Sequence, residues 1–553
     1  MHKQYLFVAL LSAVGCSTPF GEAPGPDSGS GQTNGGTDSG GGRLDGGSVD
    51  PGPTFSFVQA DGPAYVRQGQ TISITINIAR GITPGTDITI NATSQPDGIS
   101  VGSLTIPPGS NTGQLAITVD ESVPQGALNE VVVLQGLAEG ATIKVATNLS
   151  LFVIGKPGAL DTAFASGGIY EDTTEYGYIS TVAQQSDGKI LIGACNTGYL
   201  TSQATSAVIR LNADGSVDST LADPSMQKIP GQIYGVTAYS DGRIVTADGY
   251  NISRYTANGA PDTTFNTTGS VAMRSFSLPA DWNDFYPYAV AVGQDDSIYA
   301  GGDTRIDINT NNGLFETEAY AFLQVSANGQ RPDGQGSMPA CLVKPTDVTN
   351  PHYITNLSLL PTGALAFAGG SFDNSSVGVG RYQDPSSCLL DEQYGINGVR
   401  YSSDWVYLND ALFETDGSVD FLTYRGTGAY SLVRIDPAGN PTAIVDLPLY
   451  APTGITRAPD GRYLVVGGPP SGGLGSMVVA YYNYNFDWTP DTSIGKQGIV
   501  NIPIYNPLSD PRVYGMRAMP MPDGSRTVVV GSIYGGNAAG DTVEHFVVAR
   551  IWN

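Results

Sequence analysis

The sequence contains few charged residues, few histidines and few cysteines, and each shortage excludes a class of function. Charged residues make up 14% of the 553 residues, and 26 Lys and Arg stand against 51 Asp and Glu, for a formal net charge of −25. Such a chain lacks the clustered basic side chains that nucleic-acid phosphates require, so we expect no nucleic-acid partner. With only 3 His, a His-rich metal site is excluded. No Cys-x-x-Cys pair occurs, so a Cys-based zinc site is not expected.

Long hydrophobic runs are also missing. The chain has no segment of about 18 consecutive apolar residues, the length that a membrane-spanning helix would need. The stretch from Tyr5 to Val14 is apolar but too short to span a bilayer, and Lys3 precedes it. A short apolar stretch after a positive charge is typical of a secretory signal.

The signal ends in Ala13-Val14-Gly15-Cys16. This ending resembles the bacterial lipoprotein signal, in which small residues precede a cysteine that is acylated and becomes the new N-terminus. The resemblance implies that residues 1–16 are a lipoprotein signal and that Cys16 carries the lipid that anchors the protein to a membrane. Ser17 stands where enteric lipoproteins of the inner membrane have Asp, which implies the outer membrane of a Gram-negative bacterium. The alternative is an ordinary secretory signal with an incidental cysteine.

Residues 17–53 have the composition of a flexible linker rich in Gly, Ser and Asp. Between residues 21 and 53 there are 12 Gly and no aromatic residue, and the only apolar side chains are Ala23, Leu44 and Val49. No core can form from so few apolar residues. We expect a disordered tether that lifts the folded part of the protein off the membrane.

Residues 54–156 show a pattern of short alternating strands. Ile72, Ile74, Ile76 and Ile78 alternate with polar residues, which is the period of a half-buried strand. About seven such strands in roughly 100 residues predict an immunoglobulin-like β-sandwich. The Cys and Trp of antibody cores are absent from this segment. We expect a spacer module, with an adhesive domain as the alternative.

From residue 157 onward, one phrase recurs seven times. Its second residue lies near positions 187, 241, 296, 362, 416, 460 and 523. Each copy has a strand that leads in, a turn that is Asp-Gly in five copies, a continuous apolar strand, and a further strand and turn. Asp-Gly favours the two-residue type I′ turn of β-hairpins. About four strands per copy and no helix predict an all-β fold with a seven-bladed β-propeller over residues 157–553.

Three elements of these copies are similar to the delta-60 repeat of bacterial surface and secreted proteins. They are Asp187-Gly188-Lys189, Arg254-Tyr255-Thr256-Ala257-Asn258-Gly259 and Leu160-Asp161-Thr162-Ala163-Phe164. The resemblance covers residues 157–553 and implies a propeller-like β fold without assigned catalytic residues. The sequence leaves open whether the first and last blades are self-contained or share strands from both ends of the chain.

Insertions lengthen two of the sequence intervals between successive copies. In repeat arrays, insertions tend to lie on the binding face. The candidate binding loops are residues 303–318, 330–352 and 501–513. The aromatic residues in or beside them are Phe315, Tyr353 and Tyr505. These side chains are suited to stacking on sugars or holding a peptide. The alternative is a set of ordinary exposed loops.

Three cysteines remain beyond the signal. Cys341 and Cys388 both lie in inserted, loop-like stretches, whereas Cys195 ends an apolar strand. In an oxidising envelope one disulfide is expected. We predict the pair Cys341–Cys388, with Cys195 as a free thiol in the core.

The segment from Asn212 to Asp218 has oxygen donors at alternate positions before a glycine, as partial calcium loops do. Its counterparts in the other copies retain only the turn-forming Asn-Gly or Asp-Gly, or a glycine. We therefore interpret the segment as a hairpin turn and expect no cofactor, with calcium binding as the alternative.

No catalytic constellation stands out. A Ser-His-Asp triad has only His352 and His545 as possible bases once the signal is removed, and no spacing singles out a carboxylate pair for glycoside hydrolysis. The sequence therefore predicts a monomeric, non-enzymatic lipoprotein of the cell envelope whose propeller binds or scaffolds a protein or glycan. The alternative is a propeller hydrolase or lyase that acts on envelope or environmental polysaccharide.

The substitution Cys16→Ser tests the lipid anchor. Without an acylated thiol the protein has no acyl chain to bury in the bilayer, so it should move from the membrane fraction to the soluble fraction. Cell fractionation with immunoblotting measures this, and Ser17→Ala is the matched control that should stay with the membrane. Unchanged membrane retention of the Cys16 variant would contradict the anchor.

Overall fold

A computed structural model describes most of the chain between residues 55 and 553. The described residues are 55–58, 63–81, 85–128, 130–172, 176–196, 205–221, 226, 229–273, 282, 284–310, 313–330, 340–343, 352–371, 376–469, 476–483, 488–504, 509–521, 523–536 and 542–553. The expected signal at 1–16, its Cys16 and the expected tether at 17–53 lie outside these ranges and stay predictions.

The described residues form an all-β protein, which confirms the predicted fold class at that level. Every regular element in them is a β-strand, and they contain no helix long and apolar enough to cross a membrane. The strands belong to two compact units, one that ends at Ile154 and one that runs from Gly155 to Asn553.

In the first unit, the described strands form three sheets, with the orders β1-β3-β7-β5, β10-β9-β4-β6 and β2-β11-β8. The strands are β1 Phe55–Val58, β2 Ala64–Arg67, β3 Thr71–Arg80, β4 Ile88–Ser94, β5 Ile99–Val101, β6 Leu104–Ile106, β7 Thr112–Val119, β8 Gly126–Ala127, β9 Val132–Ala138, β10 Val145–Leu149 and β11 Leu151–Ile154. The predicted alternation is present in β3, where Ile76 and Ile78 are buried and Ile72 and Ile74 are half-buried against the same core.

The second unit consists of seven antiparallel sheets, one for each copy of the repeated phrase. Strands of sheets 1 to 3 are β13 Tyr178–Gln184, β14 Ile190–Cys195, β15 Thr205–Leu211, β16 Ile229–Pro230; β17 Gly235–Ala238, β18 Ile244–Ala247, β19 Asn251–Tyr255, β20 Ser270–Ala272; β21 Tyr286–Val292, β22 Ile298–Thr310, β23 Gly313–Val325 and β24 Ala340–Val343. Strands of sheets 4 and 5 are β25 His352–Leu359, β26 Leu365–Ser371, β27 Val377–Asp384, β28 Leu389–Leu390, β29 Val399–Ser402; β30 Trp405–Phe413, β31 Val419–Arg425, β32 Tyr430–Ile435 and β33 Pro441–Asp446. Strands of sheets 6 and 7 are β34 Tyr450–Arg457, β35 Tyr463–Gly468, β36 Ser476–Tyr482, β37 Ile499–Pro503; β38 Ser509–Pro520, β39 Arg526–Gly536, β40 Thr542–Trp552 and β12 Ile169–Glu171.

The seventh sheet contains strands from both ends of the unit. Its first three strands come from the C-terminus, and β12 from the N-terminal side pairs with β40 as the outer strand, with Tyr170 opposite Val548. The first strand of every sheet also contacts the first strand of the next one, and β38 of sheet 7 contacts β13 of sheet 1. The seven sheets therefore follow one another in a closed cycle, with one sheet shared between the chain ends.

The Asp-Gly phrase forms a longer turn than the predicted type I′ turn. In the first copy the Gly188 N–H donates to the Gln185 carbonyl oxygen at 2.9 Å, and the Gln185 N–H donates to the Lys189 carbonyl oxygen at 2.8 Å. Gly188 has a φ of 83°, so this is a type I turn followed by a left-handed residue. Asp187 instead accepts the Lys189 N–H at 3.2 Å. The type I′ prediction is wrong because this turn needs only one left-handed residue; in the third copy it is Asp296, with a φ of 64°.

Glycines at the ends of the apolar second strands make room for irregular first strands. The pairing of first and second strands shifts register in sheets 3 and 4, which brings the first-strand backbone close to the second strand. A Cβ atom on Gly302 would collide with the Tyr286 carbonyl oxygen, and one on Gly369 would collide with the Tyr353 carbonyl oxygen. Gly302 and Gly369 are thus required by close backbone approach.

A buried arginine of the third strand joins one sheet to the next. In sheet 2, Arg254 Nε donates to Asp262 Oδ2 at 2.7 Å, and Arg254 Nη1 donates to the Ala327 carbonyl oxygen of sheet 3 at 2.6 Å. Arg210 of sheet 1 makes the same pair of contacts, with Asp218 and with the Ala257 carbonyl oxygen of sheet 2. Each guanidinium thus links an Asp of its own sheet to a turn of the neighbour.

The same link closes the cycle. Arg550 of sheet 7 donates to Asp161 Oδ2 at 2.8 Å and to the Ala213 carbonyl oxygen of sheet 1. Arg381 of sheet 4 likewise bonds Asp391 and the Pro437 carbonyl oxygen of sheet 5. The repeated Arg of the sequence is therefore a contact between sheets.

The Arg–Asp pair makes stability dependent on pH. Burial acts to raise the pKa of Asp218, but hydrogen bonds from Thr220 and the charge of Arg210 outweigh it and lower the pKa to about 2. Because the folded-state pKa lies below the unfolded value of about 3.9, the pair stabilises the fold above that pH, and the contribution is lost as pH falls toward 2. Asp218→Asn should lower the free energy of unfolding at pH 7 by roughly 2–3 kcal/mol.

Chemical denaturation from pH 7 down to pH 2 measures this effect. The difference between wild type and the Asp218 variant should shrink below about pH 4. The matched control is Asp404→Asn, because Asp404 is an exposed turn residue and its substitution should change stability by less than about 0.5 kcal/mol. A constant difference across this pH range would show that the Asp218 carboxylate charge is not what stabilises the link.

Candidate binding face

Each sheet of the second unit has two ends with different chemistry. The turns of the repeated phrase and the arginine links lie at one end, which we call the turn end. The opposite end, where first strands begin and second strands finish, carries tyrosines at or beside the start of six first strands: Tyr178, Tyr234, Tyr286, Tyr353, Tyr407 and Tyr450. We call this end the tyrosine face.

The tyrosine rings contact one another across neighbouring sheets. The ring centroids of Tyr234 in sheet 2 and Tyr288 in sheet 3 are 5.0 Å apart, and those of Tyr288 and Tyr353 in sheet 4 are 6.1 Å apart, both edge to face. Tyr250 and Tyr286 form a further edge-to-face pair at 5.8 Å. These distances are in the range at which aromatic pairs attract each other. Sheets 2 to 4 thus share one aromatic surface.

A second group of tyrosines lies on sheets 5 and 6. Tyr424 contacts Tyr430 at 4.9 Å and Tyr407 at 6.0 Å between ring centroids. Tyr450 of sheet 6 lies near enough to Tyr430 to raise its pKa, although burial is the larger cause. Tyr407 and Tyr450 are 40% and 48% exposed, and Tyr250 is 48% exposed. Because exposed aromatic rings are accessible to a ligand, this face is the candidate site.

A buried carboxyl group lies beneath the first tyrosine group. The side chain of Asp303, on β22, is 1% exposed and is hydrogen-bonded to Tyr288. Its Oδ1 atom has no hydrogen-bond partner among the described residues. Burial raises the pKa of Asp303 well above its usual range, and Glu318 and Asp284 raise it further, against the opposing effects of Tyr288 and Arg305. Burial of this carboxyl group therefore favours its protonated form.

Arg305, two residues further along β22, holds the other acidic groups of this site. Its Nε lies 3.5 Å from Glu318 Oε1, and its backbone N–H donates to Asp284 Oδ1 at 3.3 Å. The guanidinium also lies 5.9 Å from the centre of the Tyr286 ring. The site therefore combines aromatic rings, a buried carboxyl group with a raised pKa and ion-paired carboxylates.

The predicted site residues are distributed unevenly. Tyr353 takes part in the tyrosine face, whereas Tyr505 lies outside the described residues. Phe315 lies in β23, opposite Ile308, and its side chain is outside the described part of the structure. Tyr234 and Tyr288 lie outside the insertions and were missed for that reason, whereas Asp303 lies inside the candidate loop 303–318 but was not singled out. The recurrence of Tyr at the start of successive first strands was the signal that could have found the two tyrosines.

The segments predicted as insertion loops contain strands. Residues 303–318 form most of a long hairpin, in which β22 and β23 pair from Ile298–Val325 to Thr310–Gly313. Within 330–352, β24 runs from Ala340 to Val343. The range 501–513 contains the last residues of β37 and the first residues of β38. The loop interpretation was wrong there because alternating residues such as Ile306 extend the sheet beyond the repeat.

The cysteines have defined places. Cys341 and Cys388 are joined by a disulfide with a Cα–Cα distance of 5.1 Å, although Cys341 lies in a strand of sheet 3 and not in a loop. Cys195 is buried and unbonded at the end of β14, with its Sγ 2.9 Å from Ser206 Oγ. Burial raises the pKa of the Cys195 thiol, so it stays protonated at neutral pH.

The Asn212–Asp218 segment has the geometry of a turn. Asp214 Oδ1 accepts the backbone N–H and the hydroxyl of Ser216, and Gly215 has a φ of 85°. Asp218 is ion-paired with Arg210. The described residues include no group of three or more His, Cys, Asp or Glu side chains placed to hold a metal ion.

His545 and His352 both belong to strands. His545 lies within β40, and its Nδ1 is 2.9 Å from the Asp172 carbonyl oxygen. His352 is the first residue of β25, where a loop was expected, and its side chain is outside the described part of the structure.

Asp303→Asn tests whether the buried carboxyl group is protonated. A raised folded-state pKa means that this group stabilises the fold fully below its unfolded pKa of about 3.9, and that the contribution is lost as pH rises toward the folded value. Wild type should therefore lose stability relative to the Asn variant as pH rises above about 4, as measured by thermal unfolding. Asp303→Ala is the control. It removes the hydrogen-bond partner of Tyr288, so it should lower the free energy of unfolding by roughly 1–3 kcal/mol at every pH. If Asp303→Asn instead loses stability relative to wild type as pH rises, the raised pKa of Asp303 is contradicted.

Comparison with known proteins gives one family match. Residues 185–221 match the model of a family described as a β-propeller domain of unknown function (DUF5122). No curated protein matches the chain. The match covers the first repeat copy from its Asp-Gly turn to the segment after its third strand, and it supports a β-propeller-like family.

The solved structures that match this chain are remote from it in sequence and have low TM-scores. The Dos1 propeller is 11% identical with a TM-score of 0.36, over 71% of this chain and 95% of that one. An auxiliary nutrient binding protein from Bacteroides ovatus is 10% identical with a TM-score of 0.30, over 74% and 94% of the two chains. PorZ, a surface component of the type-IX secretion system of Porphyromonas gingivalis, is 9% identical with a TM-score of 0.16, over 89% and 67%. The chain is thus β-propeller-like by its family match and its own strand order.

Proposed function

We propose that this protein is a monomeric, non-enzymatic binding protein of the bacterial cell envelope and that its tyrosine face binds a glycan. The observation that carries the proposal is the recurrence of tyrosines at one end of successive sheets. Three of them, Tyr250, Tyr407 and Tyr450, are at least 40% exposed. A surface with several accessible aromatic rings on one rigid scaffold is typical of a binding site.

The chemistry of the face favours a sugar over a protein ligand. A tyrosine ring has an apolar face that packs on the C–H groups of a pyranose, and a hydroxyl that exchanges hydrogen bonds with sugar hydroxyls. Asp284 and Glu318 add acceptors for sugar hydroxyls. Because the chain carries a net charge of −25, a neutral glycan is favoured over an acidic one. Binding of a protein instead is an outcome that the experiment below distinguishes.

The proposal includes a more specific architecture. We propose that residues 157–553 are a seven-bladed β-propeller of delta-60-like repeats and that residues 54–156 are an immunoglobulin-like spacer. The first is supported by the cyclic contacts of seven sheets and the pairing of β12 with β40. The second is supported by short, mostly antiparallel strands around one core of alternating Ile, Leu and Val residues.

The location follows from the N-terminal sequence. A lipid on Cys16 and a Gly-rich tether over residues 17–53 would hold the binding unit at the outer membrane of a Gram-negative bacterium, close to envelope glycans. This arrangement is a proposal that rests on the lipoprotein signal alone.

Binding should be measured on the Cys16→Ser protein, which we expect to be soluble. An array of neutral and acidic glycans identifies the ligand, and calorimetry gives the dissociation constant. Tyr407→Ala and Tyr450→Ala should each weaken binding about 5- to 10-fold, because each removes roughly 1 kcal/mol of ring stacking. The control is Tyr65→Ala, in an exposed tyrosine of the first unit, which should leave affinity unchanged.

Two outcomes would overturn the proposal. If no glycan binds, or if Tyr65→Ala weakens binding as much as Tyr407→Ala does, the tyrosine face is not a glycan site. If envelope proteins are captured and the same two tyrosine substitutions abolish capture, the face binds protein instead.

A propeller enzyme is the second candidate, and the environment of Asp303 favours it. A carboxyl group kept protonated by burial, on the same hairpin as the carboxylate of Glu318, is the kind of pair that glycosidases use as acid and base. Release of reducing sugar from a bound glycan would support this function. Turnover that Asp303→Asn abolishes would overturn the non-enzymatic proposal, whereas saturable binding without turnover would count against the enzyme.

A further inference from the structure

A cleft of about 430 Å³ lies at the turn end of sheets 4 and 5, away from the tyrosine face. Its walls include Leu360, Thr362 and Ala364 from sheet 4 and Asp416 from the turn of sheet 5, with Arg381 and Asp391 at one side. Two carboxylates, one guanidinium and two hydroxyl-bearing residues thus surround a space with an apolar wall.

Comparison between the copies shows what this space lacks. In sheet 1, Arg210 pairs with Leu191, and the residue two positions before Leu191 is Lys189. In sheet 4, Arg381 pairs with Ala366, and the residue two positions earlier is Ala364. Ala364 therefore occupies the position of Lys189.

Four other copies have a cation at this position, and in three of them it lies beside the Asp that corresponds to Asp391. Lys189 Nζ lies 3.5 Å from Asp218 Oδ2, and Lys189 also pairs with Asp187 of its own turn at 3.2 Å. The two arginine equivalents are Arg462, 3.5 Å from Asp491 Oδ2, and Arg526, 3.2 Å from Asp161 Oδ2. The repeat is therefore built for a cation next to this carboxylate.

In the fourth copy that cation is missing from the chain. Ala364 is too short to reach Asp391, and Thr362 replaces the turn aspartate, so the cleft opens where the long side chain would lie. Asp391 Oδ2 accepts two hydrogen bonds from Arg381, and the Asp391 side chain remains 17% exposed. Burial acts to raise the pKa of Asp416, but hydrogen bonds from Ser418 lower it overall, so this carboxylate is charged at neutral pH.

We propose that this cleft is a binding site for a primary ammonium group at the end of an alkyl chain, which takes the place that Lys189 has in the first copy. Asp391 and Asp416 supply the counter-charges, and the hydroxyls of Thr362 and Thr415 are further acceptors for the three donors of an ammonium. Leu360 and Ala364 contact the methylene groups, as an apolar wall does for the stem of a buried lysine.

An organic cation fits better than a metal ion. A calcium ion takes six to eight oxygen ligands, whereas the described residues include no cluster of three or more acidic, His or Cys side chains here or elsewhere. Arg381 also places a fixed positive charge beside Asp391. This charge repels a divalent ion more strongly than it repels a singly charged ammonium group.

The test titrates the full chain with n-butylammonium and with N-acetyl-lysine amide, each followed by calorimetry. N-acetyl-norleucine amide is the neutral probe of the same shape. We expect both ammonium probes to bind and the norleucine probe to bind at least tenfold more weakly. Binding of butylammonium alone would identify a small amine as the ligand, and binding of both would extend it to a lysine side chain. Equal binding of the norleucine probe would overturn the proposal.

Three variants locate the site. Ala364→Lys supplies the missing cation from the chain itself, so it should reduce binding at least tenfold and raise the thermal unfolding temperature. Ala364→Gln is the matched neutral control: it should leave that temperature nearer to wild type. Lys189→Ala opens the equivalent space in sheet 1 and should add a second ammonium site, which keeps the test valid if the Ala364 variants do not fold. Unchanged binding stoichiometry in Lys189→Ala together with unchanged affinity in Ala364→Lys would refute the site.

Discussion

Four of the contacts between neighbouring sheets depend on an arginine whose guanidinium is shared between the two sheets. One edge of Arg254 is bonded to Asp262 of its own sheet and another to a turn carbonyl oxygen of the next, while its face lies 4.8 Å from the centre of the Phe265 ring. Arg550 repeats this geometry over Phe164. Because the guanidinium is planar and its donors point in fixed directions, it fixes the spacing and the angle of two sheets together. A lysine at the same place would supply charge without that geometry.

A second buried polar centre joins the first strands of four sheets. Asp410 Oδ1 accepts from Asn356 Nδ2 at 2.9 Å, and Asp410 Oδ2 accepts from the Ile455 N–H at 3.0 Å. Arg517 of sheet 7 lies 3.4 Å from the same oxygen. These contacts cross from sheet 4 to sheet 7 near their shared centre. The tyrosine face thus rests on sheets whose relative positions are fixed at the centre and at the turn end.

The sequence predicted the fold well where the repeat itself carries the information. Seven copies predicted seven sheets, and the alternation of Ile72 to Ile78 predicted a half-buried strand. The turn type was wrong, because dipeptide composition does not show that Gln185 and Lys189 add a hydrogen bond across the turn. The sequence did not show how the cycle of sheets closes. The segment from Ile169 to Glu171 is too short and too polar for its pairing with residues 547–549 to be predicted.

The candidate site was predicted only in part. Tyr353 was found because it lies beside an insertion, whereas Tyr288 and Asp303 are brought together by strand register, which sequence spacing does not reveal. The raised pKa of Asp303 depends on burial beneath rings from three sheets, and no local pattern encodes burial of that kind. Residues whose role depends on contacts between copies stay invisible when each copy is considered alone.

The pairing of β12 with β40 also determines when this protein can be completed during synthesis. Asp161 and Arg550 are 389 residues apart in the chain, so the seventh sheet cannot form until β38, β39 and β40 have been synthesised. Until then segment 160–171 has no partner strands to pair with. Closing the cycle must then bring together distant parts of the chain, which costs chain entropy.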